Sequence, residues 1–376
     1  MTAFQLTNDQ LALRERARSI GEKSCQPLVA DGEKGRVNRQ VVQMLGRAGL
    51  LPKLFPMTKG DDARVAATDL CLMREGLAMV CPEAETALAL QGLGTYPIVQ
   101  SGSPAMVAEW VPRVAKGEVV AAFALSEPAA GSDPGSLALR AEKKGDGWVL
   151  SGTKTWISNA PSADVYTLFA RTSDGDGARG ITAFIVPGGT PGLTGASIEM
   201  IAPHPIGTLE LTDVALSDAY RLGEVGEGFK VAMRTLDLFR PSVGAFCVGM
   251  AQRALDEAVG WAKERRAFGK AIKDFQAVSH ALADAATQVR AARLLVYSAA
   301  AAYDAGQGNS KLAAMAKLFA TETAQRVVDV AVQVLGARAL EASHPLAHLW
   351  LEVRAPRIYE GTSEIQREVI ARELFR

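Results

Sequence analysis

Apolar residues recur at three- and four-residue steps from Thr7 to about Lys116, Leu11, Ile20, Val41, Met44 and Leu45 among them, with breaks marked near Pro27, Gly49 and Pro52. An alanine-rich run from Ala63 to Leu77 keeps the same character. The spacing predicts an all-helical domain over residues 1–118. At Val119 the pattern shortens to apolar or β-rich runs, Val119 to Leu125, Trp148 to Leu150, Val165 to Ala170 and Ile181 to Val186, separated by Gly, Asp, Pro and Ser. Lys144-Gly145-Asp146-Gly147 supplies a hairpin turn between two of them. These runs predict a barrel-like middle β domain over residues 119–228. Beyond Gly228 the helical period returns in longer stretches; Phe275, Val278, Leu282, Ala285, Val289, Ala292 and Val296 form one continuous seam. Antiparallel helices around such a seam predict a four-helix bundle over residues 229–376, which makes the fold mainly α with a β domain in the middle.

Composition narrows the function classes. With 376 residues, 48% apolar and 22% charged, the chain falls in the ordinary globular range. Lys plus Arg and Asp plus Glu are 41 each, so no net field gathers nucleic acid or holds an anionic membrane, and an anionic ligand needs a local site. Cys25, Cys71, Cys81 and Cys247 lack Cys-x-x-Cys spacing and do not join the histidines in a zinc pattern. His344 and His348 are four apart, but Pro345 is expected to interrupt a helix there, and no metal is assigned. His204, between two prolines, reads as a loop residue. Residues Met1 to Leu13 lack a signal-peptide apolar core, and no apolar run is long enough to cross a bilayer. A cytoplasmic location is expected.

Three segments carry candidate chemistry. In Phe123-Ala124-Leu125-Ser126-Glu127-Pro128-Ala129-Ala130-Gly131-Ser132-Asp133 a buried strand leads into a loop of small residues. Its backbone N–H groups and the hydroxyls of Ser126 and Ser132 suit a flat heterocycle or a phosphate, although a strand with a Pro-Gly turn has the same composition. In Lys154-Thr155-Trp156-Ile157-Ser158-Asn159, Trp156 suits the face of a ring and Ser158 a ring heteroatom; a core tryptophan with a Ser-Asn turn is the plainer reading. In Arg354-Ala355-Pro356-Arg357-Ile358-Tyr359-Glu360-Gly361-Thr362-Ser363-Glu364-Ile365-Gln366-Arg367, Pro356 stops a helix. Ser363 with Gln366 reads as a capping box that starts the last one. Glu360 then stands on a turn ahead of a helix N-terminus, where it is either a base or a solvated carboxylate, and the N–H groups of Glu360 and Gly361 can meet an oxyanion.

In this order and in these domains, the three segments resemble the acyl-CoA dehydrogenase family along the whole chain. The resemblance implies FAD, with its flavin ring between the β domain and the C-terminal bundle. It places Phe123, Leu125, Ser126, Gly131, Ser132, Trp156, Ser158, Thr362 and Glu364 at flavin-contacting positions. Glu264-Arg265-Arg266-Ala267-Phe268-Gly269 looks like the family's Arg-x-x-Phe-Gly signature, followed by Phe275-Gln276, and Gln333-Val334-Leu335-Gly336 resembles the stretch over the adenosine end. The resemblance implies that Arg265, Phe268, Phe275 and Gln276 reach the FAD of a neighbouring subunit, hence a homotetramer built as a dimer of dimers, and that Gln333 and Gly336 close over the adenosine end.

The implied reaction removes the α-proton of an acyl-CoA thioester with Glu360 and sends a β-hydride to flavin N5, giving a trans-2-enoyl thioester. Ser132, Arg240, Tyr359 and Gly361 are implied at the substrate, and electron-transfer flavoprotein as electron acceptor. Some branches carry the base just before an arginine on an earlier helix; here that position is Phe239, before Arg240. Three departures stand out: Gly336-Ala337 replaces a Gly-Gly, Leu351-Glu352 replaces an Arg-Asp, and an arginine and serine motif is replaced around Pro203-His204-Pro205-Ile206-Gly207. An acyl-CoA oxidase that passes electrons to oxygen and a non-catalytic scaffold on the same fold are the competing readings.

Overall fold

The computed structural model describes residues 5–55, 65–174 and 177–376. In chain order the elements are helices α1 (Asn8–Ile20), α2 (Gln26–Ala30), α3 (Arg39–Arg47), α4 (Ala67–Ala78), α5 (Pro82–Ser101) and α6 (Pro104–Ala115); strands β1 (Ala121–Ala124), β2 (Arg140–Lys144), β3 (Gly147–Ser158), β4 (Val165–Arg171), β5 (Ile181–Pro187), β6 (Leu193–Ser197), β7 (Ile206–Ser217) and β8 (Arg221–Leu222); helix α7 (Gly228–Glu264); the short strands β9 (Arg266–Ala267) and β10 (Lys270–Ala271); and helices α8 (Gln276–Asp304), α9 (Ser310–Leu335), α10 (Pro345–Glu352) and α11 (Ser363–Leu374). Helix, sheet, helix is the order that the periodicity predicts.

The chain divides into two compact units, one of Met1–Gln26, Ala66–Glu85 and Asp237–Arg376, the other of Pro27–Val65 and Thr86–Leu236. In the first, α1 packs on α4, α4 on α8, and α8, α10 and α11 on α9. The seam read from the sequence is the buried face of α8: Leu282, Ala285, Val289, Ala292 and Val296 are all buried. Helix α7 comes close to its neighbours through glycine. A Cβ on Gly244 would stand 2.6 Å from Val296 Cγ2, and one on Gly249 would stand 2.5 Å from the Glu75 carbonyl oxygen. Against this glycine, Glu75 is buried and satisfied by Arg14 (3.2 Å), Arg293 (3.0 Å) and the Tyr297 hydroxyl (2.6 Å), which ties α1, α4 and α8 through one carboxylate.

In the second unit an eight-stranded sheet runs in the order β6-β7-β3-β2-β4-β5-β8, with β1 added parallel to β4. The turn read at 144–147 joins β2 to β3, with Lys144 opposite Gly147. The sheet is open rather than closed into a barrel, because β6 and β8 end the pairing path. Strands β4 and β5 are buried almost throughout, whereas β7 alternates buried and exposed positions, as a strand with one wet face must.

Other expectations give way for local reasons. The chain does not break at Pro27: a π-helical turn (Gly21–Cys25) carries α1 into α2, and the wider turn bonds Gln26 N–H to Gly21 O. Pro345 does not interrupt a helix but opens α10 in its first turn, where a missing N–H costs nothing, and His344 caps it by accepting from Leu346 N–H at 3.2 Å. Part of the alanine-rich run, Ala63 included, lies outside the described residues. The four cysteines are free and buried. Among the described residues no helix is long and apolar enough to cross a membrane, and no cluster of His, Cys, Asp or Glu has a metal-holding arrangement.

Candidate active site

The turn bearing Glu360 is built from the residues on either side of it. Pro356 sits in a short 3-10 turn (Ala355–Arg357), and Glu360 follows with φ 53° and Gly361 with φ 90°. A non-glycine residue in the left-handed region costs free energy and persists only where its surroundings hold it. They do so here from three helices. Arg240 Nε on α7 donates to Glu360 O at 3.3 Å, Lys317 Nζ on α9 donates to Gly361 O at 2.6 Å, and Gln366 Nε2 on α11 donates to both carbonyls at 3.2 and 2.9 Å. Gln366 therefore makes no capping box. The N-cap is Thr362, which accepts from Ile365 N–H at 3.3 Å, while Ser363 Oγ turns to Glu322 Oε1 at 2.7 Å.

The carboxylate itself is placed differently from its backbone. Glu360 Oε2 is buried and has no hydrogen-bond partner among the described residues. Burial holds the Glu360 pKa above the ordinary carboxylate value, opposed by the positive charges of Arg74, Lys317 and Arg240. These cations are themselves held. Arg74 on α4 is buried, pairs with the buried Glu85 and donates to Ser242 Oγ at 2.7 Å. Arg240 pairs with Asp237 at 3.2 Å, and Ser310 Oγ bonds the other Asp237 oxygen at 2.8 Å. Lys317 is fully buried, and desolvation pulls its pKa down to about 8. A half-buried carboxylate with one oxygen buried and unpartnered, close to three fixed cations, is arranged for proton transfer, since burial raises its pKa while the cations favour its charged form.

Gly361 is the tightest point of the turn. A Cβ there would stand 2.6 Å from Gln366 Nε2 at a φ that L side chains rarely adopt. Gly361→Ala is expected to displace the amide that holds Glu360 and to lower kcat about 10²-fold, the penalty for a reacting group moved by about 1 Å. Rapid-quench rates beside far-ultraviolet circular dichroism check it; a normal rate with a normal fold would contradict this account of the turn.

In the β unit the other two segments are brought side by side. Thr155 N–H donates to Ser126 O at 3.1 Å, and Lys154 Nζ donates to Leu125 O at 2.9 Å and to Glu127 Oε1 at 2.8 Å. Glu127 also accepts the N–H groups of Ala138 (2.6 Å) and Leu139 (3.0 Å), so one buried ion pair pins both ends of the loop that contains Gly131 and Ser132. Phe123 packs on Phe169 with ring centroids 4.9 Å apart. The register of β3 on β7 shifts between Lys154 and Ile157, and at this shift Trp156 takes φ 54° and leaves its indole 52% exposed. Phe123, Leu125, Ser126 and Ser158 are half-buried, Gly131 and Ser132 are exposed, and Ser158 Oγ lies 2.8 Å from His204 Nε2. An outward-turned indole beside a hydroxyl and a small-residue loop fits a flat heterocycle better than it fits a core tryptophan.

The remaining positions named from the sequence lie on the helical unit's surface. Arg265 is exposed, with its guanidinium 5.9 Å from the Trp261 ring centroid; Phe268 is 94% exposed at φ 49°, with its ring 6.2 Å from that of Phe275. Gln276, Gln333 and Gly336 are exposed too, Gly336 as the C-cap of α9 at φ 65°. Glu364 is exposed in the first turn of α11. Sequence reasoning missed Arg74 and Lys317 and gave Gln366 a different partner. The available signal was charge inside apolar helix text, as in Met73-Arg74-Glu75-Gly76 and Ala316-Lys317-Leu318.

Comparison with known proteins decides what this arrangement is. Acyl-CoA dehydrogenase N-terminal, middle and C-terminal domains match residues 7–118, 122–216 and 226–375. The chain belongs to the acyl-CoA dehydrogenase family. It is 34% identical to cyclohexane-1-carbonyl-CoA dehydrogenase of Geobacter metallireducens over 377 residues, 99% of each chain. Butyryl-CoA dehydrogenase from Megasphaera elsdenii superposes with a TM-score of 0.93 at 34% identity, covering 100% of both chains. A chain from structural work on the electron transferring flavoprotein of Acidaminococcus fermentans gives the same TM-score of 0.93, identity of 34% and coverage of 100% of each. As an acyl-CoA dehydrogenase this protein is an oxidoreductase whose cofactor is FAD.

Proposed function

We propose that this acyl-CoA dehydrogenase oxidises the α–β bond of an acyl-CoA to the trans-2-enoyl-CoA with Glu360 as its base, and delivers the electrons to electron-transfer flavoprotein. The observation that carries the assignment is the unpartnered, buried Oε2 of Glu360. A buried carboxylate oxygen without a protein partner is costly unless a ligand uses it. FAD, when bound, supplies the acceptor for the hydride that leaves the β-carbon. The chain does the rest. Glu360 takes the α-proton as the carbon–carbon double bond forms; Arg74, Lys317 and Arg240 favour its charged form, and burial, the larger effect, favours the form that holds the proton. Arg240 and Lys317 hold the carbonyls of Glu360 and Gly361, and no backbone carbonyl among the described residues takes the N–H of either residue, which suits both to the thioester oxygen as negative charge develops there. Tyr359 and Ser132 are assigned to the substrate.

Phe123, Leu125, Ser126, Gly131, Ser132, Trp156, Ser158, Thr362 and Glu364 are assigned to FAD held by the same chain. Arg265, Phe268, Gln276, Gln333 and Gly336, all exposed, and the half-buried Phe275 are assigned to the FAD of a neighbouring copy. That role explains why a phenylalanine is presented to solvent on the β9–β10 turn, and it calls for a homotetramer.

The test is anaerobic mixing of the purified yellow protein with straight, branched and cyclic acyl-CoA thioesters, cyclohexane-1-carbonyl-CoA included. At least one should bleach the flavin band, and electron-transfer flavoprotein should restore it faster than air does. Rapid reoxidation in air with stoichiometric peroxide would make the protein an oxidase. No bleaching with any thioester would leave the scaffold.

A further inference from the structure

Ser158 is the last residue of β3, paired with Ile206 of β7, and the chain that enters β7 carries His204 back across it. Asn159 N–H donates to Pro205 O at 2.7 Å and Ile198 N–H to Ile206 O at 2.8 Å, so both sides of the His204 loop are fixed to the sheet. The imidazole meets the Ser158 hydroxyl at 2.8 Å. Burial pushes the His204 pKa down to about 4, so the ring is neutral at ordinary pH, one nitrogen a donor and the other an acceptor. Ser158 is its one hydrogen-bond partner among the described residues, so nothing else in the described protein locks the tautomer.

A serine hydroxyl has one proton to give and lone pairs to receive. Against a flavin N5 its task reverses during turnover, because that atom accepts a hydrogen bond in the oxidised ring and donates one once it carries hydrogen. A hydroxyl that donates to N5 is best supported by an imidazole N–H that donates to its oxygen. A hydroxyl that accepts from N5–H must send its own proton elsewhere, and in a buried site an unmet donor costs more than an unmet lone pair. His204, which is half-buried, can serve both states by exchanging which nitrogen is protonated, its far nitrogen trading the proton with solvent and its near one donating to or accepting from Ser158.

We infer that His204 is a positioning residue for the flavin, acting through Ser158 as a reversible hydrogen-bond partner that favours the reduced cofactor. The inference rests on the assignment of Ser158 to FAD and takes flavin N5 as the ring heteroatom that its hydroxyl meets. No residue role stated above includes His204, and the departure around Pro203-His204-Pro205 then has a purpose: it installs the partner.

The test is the midpoint potential of bound FAD in the wild type and in His204→Leu, His204→Gln, Ser158→Ala and the Ser158→Ala/His204→Leu pair, with FAD content and melting temperature measured beside it. His204→Leu should shift the oxidised-to-reduced equilibrium about tenfold against reduction, the cost of a lost buried hydrogen bond, which is about 30 mV downward for a two-electron couple. Glutamine, which both donates and accepts, should recover most of the shift, and adding His204→Leu to Ser158→Ala should change nothing further. An unchanged potential in His204→Leu overturns the inference. So does a shift that glutamine does not restore, or one that adds to Ser158→Ala, since either marks simple packing. If Ser158→Ala itself leaves the potential of a fully loaded protein unmoved, the assignment of Ser158 to FAD has failed first.

Discussion

Glu360→Gln is expected to lower the rate of substrate-driven flavin reduction by roughly 10²–10⁴-fold, the usual worth of a positioned general base, while the protein remains yellow and folded. Glutamine keeps the shape of the side chain and the left-handed backbone position, and it cannot take a proton. The same substitution has a second expected signature in stability. The folded pKa of Glu360 lies above its unfolded value because burial outweighs the three cations. The folded state therefore binds the Glu360 proton more tightly than the unfolded chain does. The stability this group gives is present below the ordinary glutamate pKa and is lost as pH rises through the raised value. Once the pH has risen through the raised value the wild type carries a buried charge that costs stability, and the variant does not. Glu360→Gln should melt higher than wild type there, with the difference closing as the pH falls below the ordinary glutamate range. Thermal melts across that range, read alongside the rates, check both signs, and a variant that melts lower above the raised value would show that the cations need the carboxylate more than burial penalises it.

The second large effect belongs to the β unit. Lys154 and Glu127 are both buried, and desolvation pulls the Lys154 pKa down to about 8. Lys154→Met removes the only side-chain cation that meets Glu127 among the described residues, and it also removes the bond to Leu125 O. Breaking a buried pair on one side costs about 3–5 kcal/mol. The loss falls on the loop that carries Leu125, Ser126, Gly131 and Ser132, so the protein is expected to lose FAD before it unfolds globally. Denaturant unfolding gives the first quantity and the absorbance of the gel-filtered protein the second. A fully loaded variant with an unchanged midpoint would mean that the ion pair does not hold the loop.

The parts of this protein that were legible in its sequence are those set by local rules. The seam of α8 was readable because Leu282, Ala285, Val289, Ala292 and Val296 follow helical geometry whatever surrounds them, and the turn at 144–147 because glycine and aspartate choose the hairpin. The turn at Glu360 was readable because Pro356 and Gly361 bracket it within a few residues. The cap beside it was misread by one position: Thr362 and Ser363 are both competent caps, and the choice fell to Glu322, on another helix, which takes the Ser363 hydroxyl. Gln366 was assigned to that cap and is drawn instead to two carbonyls that only the folded turn presents.

What the sequence withheld is tertiary. Arg74 and Lys317 look like surface charges in alanine-rich helices, and both are buried against the Glu360 turn because helices far apart in sequence meet there. His204 lies in the loop before β7, as its two prolines predict, and what the sequence withheld is its partner, Ser158, 46 residues earlier on a paired strand. The left-handed Trp156 was unreadable for a related reason: the register shift that turns its indole outward depends on β7, which does not announce its pairing with β3.

The measurement that bears most directly on the account is the wash-in of solvent deuterium at the α-carbon of a bound acyl-CoA under anaerobic conditions, followed by mass spectrometry in wild type and Glu360→Gln. The wild type should exchange the α-hydrogen along with bleaching its flavin, and the variant should do neither at a comparable rate while still binding the thioester. Exchange and bleaching at wild-type rates in the variant would place the base elsewhere and leave the buried oxygen of Glu360 without the role given to it.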